Sequence, residues 1–265
     1  MDMTTMGETL TAYRAHLAAR GLRPATIRAY TQWVQRLSDH PDTLTCEDIE
    51  AWIASHPQWK PNTNAKAVQA VRFYFAWLRS TGRRDDDPTV DLRPARVPRP
   101  SANPCPEDTY RAALDRASGQ AYWRLRLAAD TGLRRAEIAA VHSDDVRDLI
   151  TGPTLHVVGK GGVVRWIPLP ADLATWLRMQ RGWAWPGRHG HATPNCVGDW
   201  YRVHLGEHVH MLRHRYATRA YAVSHDIEAV RILLGHASTA TTQLYISVTA
   251  DDLLSAARGG WDHAA

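Results

Sequence analysis

The chain of 265 residues is long enough for two domains, and its 44% hydrophobic and 22% charged residues exclude a largely disordered or fibrous protein. A net charge of +5 permits a polyanionic partner without identifying one. The three cysteines are odd in number and form no C-x-x-C pair, which excludes a disulfide framework and a cysteine zinc site and favours a reducing, cytoplasmic setting. The first ten residues do not resemble a secretion signal, and no apolar run approaches the roughly 18 residues of a membrane span.

Four blocks of helically spaced apolar residues predict an all-helical N-terminal domain. The blocks cover residues 10–20, 25–37, 46–55 and 62–81. Pro24 suits the first turn of the second helix, and Thr45, followed by two acids, suits the N-cap of the third. The aromatic-rich stretch 73–78 predicts a buried face of the fourth helix, with base-stacking aromatics as the alternative.

A proline-rich stretch then separates this domain from the rest of the chain. Five prolines between Arg93 and Pro106 predict a stiff, extended linker. We therefore predict a helical domain over 1–93, a linker over 94–104 and a second domain over 105–265.

The second domain is predicted to be α+β with few strands. Two β-rich runs, 155–158 and 163–167, lie on either side of the Gly-Lys-Gly-Gly sequence 159–162, which is typical of a β-hairpin. Helices are predicted over 107–117, 122–130, 137–141, 171–181, 210–222, 226–234 and 239–245.

Two common kinds of site are not supported by their motifs. The Gly-Lys-Gly-Gly turn lacks the spacing of a nucleotide-binding P-loop, so no ATP site is expected. Four histidines are close in sequence, but they form no H-E-x-x-H motif, and we predict no metal site. These histidines are His204, His208, His210 and His214.

Six residues in a fixed order carry a more specific signal. In chain order they are Arg134, Lys160, His210, Arg213, His236 and Tyr245. Arg134 lies in T-G-L-R-R-A-E, Lys160 in the hairpin turn, and His210 and Arg213 form an H-x-x-R motif. Leu-Leu-Gly-His precedes Thr-Thr-Gln-Leu-Tyr, so the last histidine and tyrosine are nine residues apart. This pattern resembles the tyrosine recombinases, the phage integrase and Xer family.

The resemblance implies a mainly α protein with a helical, SAM-like core-binding domain and an α+β catalytic domain that clamp duplex DNA. Arg134 and Arg213 would grip the nonbridging oxygens of the scissile phosphate through their planar forks of N–H donors. His236 would add a donor to the same oxygens. Tyr245 would be the nucleophile that forms a 3′-phosphotyrosyl intermediate.

The other roles in the reaction are also implied by the resemblance. His210 would accept the phenol proton, and Lys160 would protonate the leaving 5′ oxygen. Glu137, one turn after Arg134, would orient that arginine. No cofactor, metal or ATP is expected, because the phosphotyrosyl bond stores the energy of the broken phosphodiester. At helical spacing the neighbouring Arg135 and Arg215 face away from these residues, so both are expected on the surface, and His214 is expected to be structural.

The expected partner is double-stranded DNA with core inverted repeats, bound by a homo-tetramer on two duplexes. A terminal helix over 249–257 would dock on a neighbouring subunit, with packing in its own subunit as the alternative. Because the core-binding pattern begins by Leu10, no arm-binding domain is expected. DNA-contacting cations are predicted at Arg28, Lys66, Arg72, Arg96 and Arg99.

Two other functions fit parts of this pattern. A type IB topoisomerase shares the tyrosyl chemistry but works as a monomer, without a tail that docks on a neighbour. A catalytically idle DNA-binding protein would use the same scaffold, but it would not need a late tyrosine. The complete residue set favours a site-specific recombinase.

Overall fold

Residues 6–98, 101–159 and 162–236 are the part of the chain that the computed structural model describes. The chain divides into two units, Met1–Arg99 and Pro100–Ala265. This division falls within the segment 94–104, although the exact limits of the domains stay a prediction. In the described ranges, no helix is long and apolar enough to cross a bilayer.

In the part that the structure describes, the N-terminal unit contains four α-helices close to the predicted blocks. They are α1 (Met6–Ala19), α2 (Pro24–Leu37), α3 (Cys46–Ala54) and α4 (Pro61–Ser80). The predicted cap of α3 is confirmed: the Thr45 hydroxyl accepts a hydrogen bond from the Asp48 backbone N–H at 3.2 Å. The Asp48 carboxylate in turn accepts from the Thr45 backbone N–H at 2.9 Å, which completes a capping box.

The core of this unit is built around the aromatic face of α4. Tyr74, Phe75 and Trp77 are buried, and the ring of Tyr13 on α1 lies 5.1 Å from the rings of both Tyr74 and Trp77. Their helical spacing therefore forms core, as predicted.

The second unit surrounds a small antiparallel sheet with helices. The strands in sheet order are β1 (Val146–Leu149), β2 (Gly152–Val158) and β3 (Val164–Pro168). A separate two-residue pair joins β4 (Pro186–Gly187) to β5 (Gly190–His191). The helices are α5 (Glu107–Arg116), α6 (Gly119–Thr131), α7 (Arg135–Ala139), α8 (Ala171–Met179), α9 (Pro194–Leu205), α10 (Val209–Ser224) and α11 (Ile227–Leu234).

The predicted hairpin is confirmed, with Leu155 opposite Ile167 on the buried face. The prediction missed β1, in which only Val146 is buried, so no alternation marks this strand in the sequence. It also missed α9, although Thr193 caps this helix and Pro194 occupies its first turn. The helix predicted over 239–245 lies outside the described residues.

The proline-rich segment is irregular in its described parts, 92–98 and 101–106, as predicted. The C-terminal end of this segment is hydrogen-bonded to α10. The backbone N–H of Asn103 donates to His214 Nδ1 at 2.9 Å, and the N–H of Cys105 donates to the Met211 carbonyl at 3.0 Å.

Candidate active site

Arg134 is positioned by a tight turn between α6 and α7. Gly132 ends α6 in the left-handed region at φ +61°, and a Cβ there would lie 2.5 Å from Tyr216 Cδ1. Arg134 Nη1 donates to Glu137 Oε1 at 2.9 Å, and its backbone N–H donates to Glu137 Oε2 at 2.8 Å. The Arg134 side chain retains 31% exposure, so the guanidinium is both oriented and accessible.

Arg213 on α10 is almost completely buried, with 1% exposure. Its Nη1 donates to the Gly132 carbonyl and its Nη2 to the Leu234 carbonyl, both at 2.7 Å. Nη2 also lies 2.9 Å from His236 Nε2. A guanidinium has no acceptor, so Nε2 accepts this hydrogen bond and the ring proton of neutral His236 lies on Nδ1.

The ionisation of His236 agrees with this hydrogen bond. Burial, followed by the positive charges of Arg213 and Arg134, lowers the pKa of His236 to about 4. At neutral pH the imidazole is therefore uncharged and carries a single N–H donor, on Nδ1.

Four arginines donate hydrogen bonds to backbone carbonyls at the end of α11. A helix leaves its last carbonyls without helical partners, and these carbonyls carry the negative end of the helix dipole. Here four consecutive carbonyls, 233 to 236, each accept a hydrogen bond from a different arginine. The pairs are Arg165 Nε to Leu233 at 2.9 Å, Arg213 Nη2 to Leu234 at 2.7 Å, Arg134 Nη2 to Gly235 at 3.0 Å and Arg231 Nη1 to His236 at 2.7 Å.

Glu137 connects two of these arginines. The carboxylate is buried and accepts from Arg165 Nη1 at 3.1 Å and Nη2 at 2.7 Å, in addition to its bonds from Arg134. Burial by itself would raise the pKa of Glu137, but the hydrogen bonds from Arg165 and Arg134 outweigh it and hold this pKa below its ordinary value. Glu137 is therefore ionised at neutral pH.

His210 lies at the beginning of α10, three residues before Arg213. The residue is exposed, and its ring lies edge-to-face against that of His214, with centroids 4.6 Å apart. Partial desolvation and the charges of Arg213 and Arg134 lower the pKa of His210, so the ring is available as a proton acceptor at neutral pH. Burial, His210 and Arg213 lower the pKa of His214 to about 4, which fits its expected structural role.

The structure therefore brings together Arg134, Glu137, Arg213 and His236, with His210 nearby on the helix that carries Arg213. Lys160, Tyr245 and Arg99 lie outside the described residues. Arg165 was not among the predicted site residues, although the sequence carries a signal for its inward position. In β3, Arg165 and Ile167 are two residues apart and share the inward face, as strand alternation requires.

One expectation about the neighbouring arginines was wrong. Arg215 was expected on the surface but is 8% exposed, and its Nε and Nη2 each donate to the Glu107 carboxylate at 2.9 Å. The guanidinium also lies 4.1 Å from the centre of the Tyr110 ring, because this side of α10 faces α5. Arg135 is exposed, as predicted.

The predicted DNA-contacting cations that the structure describes are all exposed in the N-terminal unit. They are Arg28, Lys66, Arg72 and Arg96. Within the described ranges, no three His, Cys, Asp or Glu side chains are grouped closely enough to hold a metal ion.

Comparison with known proteins places the chain in a family. A tyrosine recombinase XerC of Chromobacterium violaceum is 30% identical over 273 residues, covering 92% of this chain and 91% of the relative. The chain belongs to the tyrosine recombinase family. The family model described as "Phage integrase, N-terminal SAM-like domain" matches residues 10–82. A tyrosine recombinase XerD of Vibrio cholerae is 25% identical and covers 88% of this chain and 89% of the relative.

Solved structures show the same fold. A lambda integrase dimer bound to a COC′ core site matches with a TM-score of 0.72 at 20% identity, covering 99% of this chain and 80% of that chain. The XerH site-specific recombinase in a pre-cleavage complex with difH matches with a TM-score of 0.66 at 17% identity, covering 94% of this chain and 83% of that chain. The predicted fold class and family are confirmed, and this tyrosine recombinase is a site-specific DNA recombination enzyme. The topoisomerase and the idle DNA-binding protein are not favoured.

Proposed function

We propose that this recombinase cleaves and rejoins DNA with Arg134, Lys160, His210, Arg213, His236 and Tyr245 in the roles that the sequence predicts. The observation that carries the proposal is the convergence of Arg134, Arg213 and His236 at the end of α11. The Nη2 atoms of the two arginines donate to the adjacent carbonyls of Gly235 and Leu234. Three separate elements thus present two cations and a neutral histidine at one place.

This arrangement suits a phosphodiester whose negative charge increases in the transition state. The fixed arginines face the nonbridging oxygens and stabilise that charge without reorganising during the reaction. Two guanidinium forks also fix the orientation of a tetrahedral phosphate, which the point charge of a lysine would not do. Neutral His236 adds a hydrogen-bond donor without a third positive charge.

The remaining residues account for the bonds formed and broken in the covalent step and for its proton transfers. The Tyr245 hydroxyl oxygen attacks phosphorus and forms the 3′-phosphotyrosyl bond, while the bond from phosphorus to the 5′ oxygen breaks. The phenol proton passes to His210, whose lowered pKa keeps it unprotonated beforehand. Lys160 gives a proton to the leaving 5′ oxygen. Religation reverses these transfers with a new 5′ hydroxyl, so the step needs neither ATP nor a metal ion.

The proposed partner is duplex DNA with core inverted repeats, bound by a homo-tetramer on two duplexes. A solved lambda integrase tetramer is bound to a Holliday junction, which supports the same assembly here. The segment 249–257 would dock on a neighbouring subunit. The exposed Arg28, Lys66, Arg72 and Arg96, with Arg99, would contact phosphates. We place this activity in the cytoplasm, where the reduced cysteines also fit.

The deciding experiment is Tyr245→Phe on a nicked core-site duplex, analysed by denaturing gel and by mapping of the DNA-linked peptide. We expect normal DNA binding and no covalent adduct, because one oxygen is removed while the aromatic ring is retained. Tyr221→Phe, which removes a hydroxyl from α10, is the matched control and should form the adduct. Adduct formation by Tyr245→Phe, or a peptide linked to the 5′ end of the DNA, would contradict the proposal.

The same assay tests the proton donor and the metal requirement. Lys160→Ala should cleave slowly, and it should recover when sulfur replaces the 5′ leaving oxygen, because a thiolate departs without an acid. Cleavage by the wild-type protein should persist in excess EDTA. A variant that sulfur does not rescue would remove Lys160 from the acid role, and an absolute metal requirement would overturn the mechanism.

A further inference from the structure

We propose that Arg165 is a positioning residue for DNA cleavage, which fixes Arg134 and the end of α11 in their working arrangement. The inference rests on the proposed function, because it assigns Arg165 a task through Arg134. Arg165 itself is assigned no contact with DNA, because all three of its guanidinium nitrogens donate to protein acceptors, Nη1 and Nη2 to Glu137 and Nε to the Leu233 carbonyl.

The guanidinium of Arg165 joins three elements. From β3 it donates two hydrogen bonds to Glu137 on α7, at 3.1 and 2.7 Å, and its Nε donates to the Leu233 carbonyl on α11 at 2.9 Å. A planar fork can make these contacts together, whereas the single ammonium of a lysine cannot. Arg165 therefore fixes the distance between the helix that begins beside Arg134 and the helix that ends beside His236.

The surrounding backbone leaves room for this side chain. A Cβ on Gly159 would lie 3.1 Å from Arg165 Nη1, and a Cβ on Gly235 would lie at the same distance. Both glycines thus permit close approach of the guanidinium, one before the hairpin turn and one at the end of α11. The hairpin is closed beside it by the Gly159 N–H, which donates to the Val163 carbonyl at 2.7 Å.

Arg165 also determines how much of the charge of Arg134 is available to a phosphate. Glu137 is a single carboxylate shared by Arg134 and Arg165. With Arg165 present, the carboxylate is oriented and largely neutralised by a buried cation. Without Arg165, the negative charge of Glu137 would be offset by Arg134 alone, and this arginine would stabilise a transition-state phosphate less well.

The test uses Arg165→Lys and Arg165→Met with saturating core-site DNA, so that the cleavage rate is measured apart from binding. We expect DNA binding to be retained and the cleavage rate to fall about 100-fold, the loss expected when a catalytic group is misplaced by about 1 Å. Each variant is also assayed on DNA in which a methyl group replaces one nonbridging oxygen of the scissile phosphate. This uncharged methylphosphonate needs less charge stabilisation, so the loss should shrink there, as it should for Arg134→Ala.

Arg215→Lys and Arg215→Met are the matched controls. They remove a second buried arginine that forms a two-point pair with a glutamate in the same unit. Any loss of rate in these variants should be equal on the phosphate and the methylphosphonate, because this pair contacts neither Arg134 nor the end of α11.

The outcomes separate the two proposals. Wild-type cleavage by Arg165→Lys, or an equal loss on both substrates, would overturn the positioning role while leaving Tyr245 and Arg134 untouched. Full cleavage of the phosphate by Arg134→Ala would overturn the proposed function itself. If Arg165→Met does not fold, Arg165→Lys decides the question, since it keeps the buried charge and loses only the fork.

Discussion

The two units bury different kinds of side chain. In the described part of the N-terminal unit, every buried polar residue is a threonine. The described part of the second unit also buries a glutamate, three arginines and a histidine, namely Glu137, Arg165, Arg213, Arg215 and His236. Placing ions in a protein interior is expensive, and their pairing seldom returns more than it costs. The first unit is therefore organised for packing, whereas the second gives up stability to hold cations in fixed positions.

The position of the buried ions supports this difference. Arg165 and Arg213 donate to carbonyls at the end of α11, and Glu137 binds Arg165 and Arg134 together. Carbonyl groups at the end of a helix attract cations, so they hold Arg213 in place without neutralising it, whereas Arg165 is paired with Glu137. The proposed reaction has a dianionic transition state, which such uncompensated charge would stabilise. The N-terminal unit, whose proposed DNA contacts lie on its surface, does not need it.

The largest expected effect tests the packing of the first unit. Phe75→Ala should lower the free energy of unfolding of that unit by about 3–5 kcal/mol, because it leaves a cavity in a fully buried aromatic cluster. Phe73→Ala on the same helix is the control and should cost clearly less, since Phe73 is only half-buried. Urea unfolding followed by tryptophan fluorescence measures both. Equal losses would mean that the apolar core does not carry the stability of this unit.

A smaller effect is a loss of stability at low pH, which we expect in the second unit and not in the N-terminal unit. The folded pKa of His236, about 4, lies below the unfolded value of 6.5. The stability from this group is therefore complete above about pH 7 and is lost as the pH falls through 6.5 towards 4, because the unfolded chain takes up the proton first. The expected loss at pH 5 is about 2 kcal/mol from His236.

Hydrogen exchange at about pH 7.5 and 5, corrected for the intrinsic rate, locates this loss. Peptides from α10 and α11 should lose protection at the lower pH, and peptides from α4 should not, since no histidine in the described part of the first unit is buried. His236→Asn should reduce the difference between the two pH values. Equal loss in α4 would show that the pH sensitivity does not come from His236.

The sequence predicted most helices because their apolar spacing and their caps are local signals. Pro24 and Thr45 begin helices where expected, and the Gly-Lys-Gly-Gly turn correctly indicated a hairpin. The sequence could not predict β1, because three of the four residues in this strand are exposed. A strand with one buried residue has no detectable alternation of apolar and polar positions.

The sequence predicted which residues form the site, but it did not predict the hydrogen bonds and ion pairs that hold them in place. The order of the arginine, histidine and tyrosine motifs identified Arg134, Arg213 and His236, which the structure brings together. It did not reveal the contacts of Arg165 or Arg215, because both are set by partners far away in the sequence. Arg165 binds Glu137 and Leu233, 28 and 68 residues away, and Arg215 binds Glu107, 108 residues away. Helical spacing alone gave Arg215 the wrong environment.

The smallest expected effect on stability comes from removing one helix cap in each unit. Thr45 caps α3, and Asp226 caps α11 by accepting from the backbone N–H groups of Glu228 and Ala229 at 2.9 and 3.0 Å. Replacing either residue with alanine should lower the free energy of unfolding by about 1 kcal/mol, because each change leaves backbone donors without a side-chain partner. The two variants should therefore be similar in urea unfolding.

Their effects on DNA cleavage should differ. The carbonyls that orient Arg134, Arg165 and Arg213 lie at the far end of α11, so loosening this helix through Asp226→Ala should slow adduct formation on saturating DNA. Thr45→Ala should leave that rate unchanged, because α3 carries no part of the site. Asp226→Asn retains the capping oxygen and should cleave normally, which separates the cap from the charge. If both alanine variants cleave at the wild-type rate, the orientation of the arginines does not depend on the position of α11. The hydrogen bonds from the arginines would then serve only to satisfy the last carbonyls of that helix.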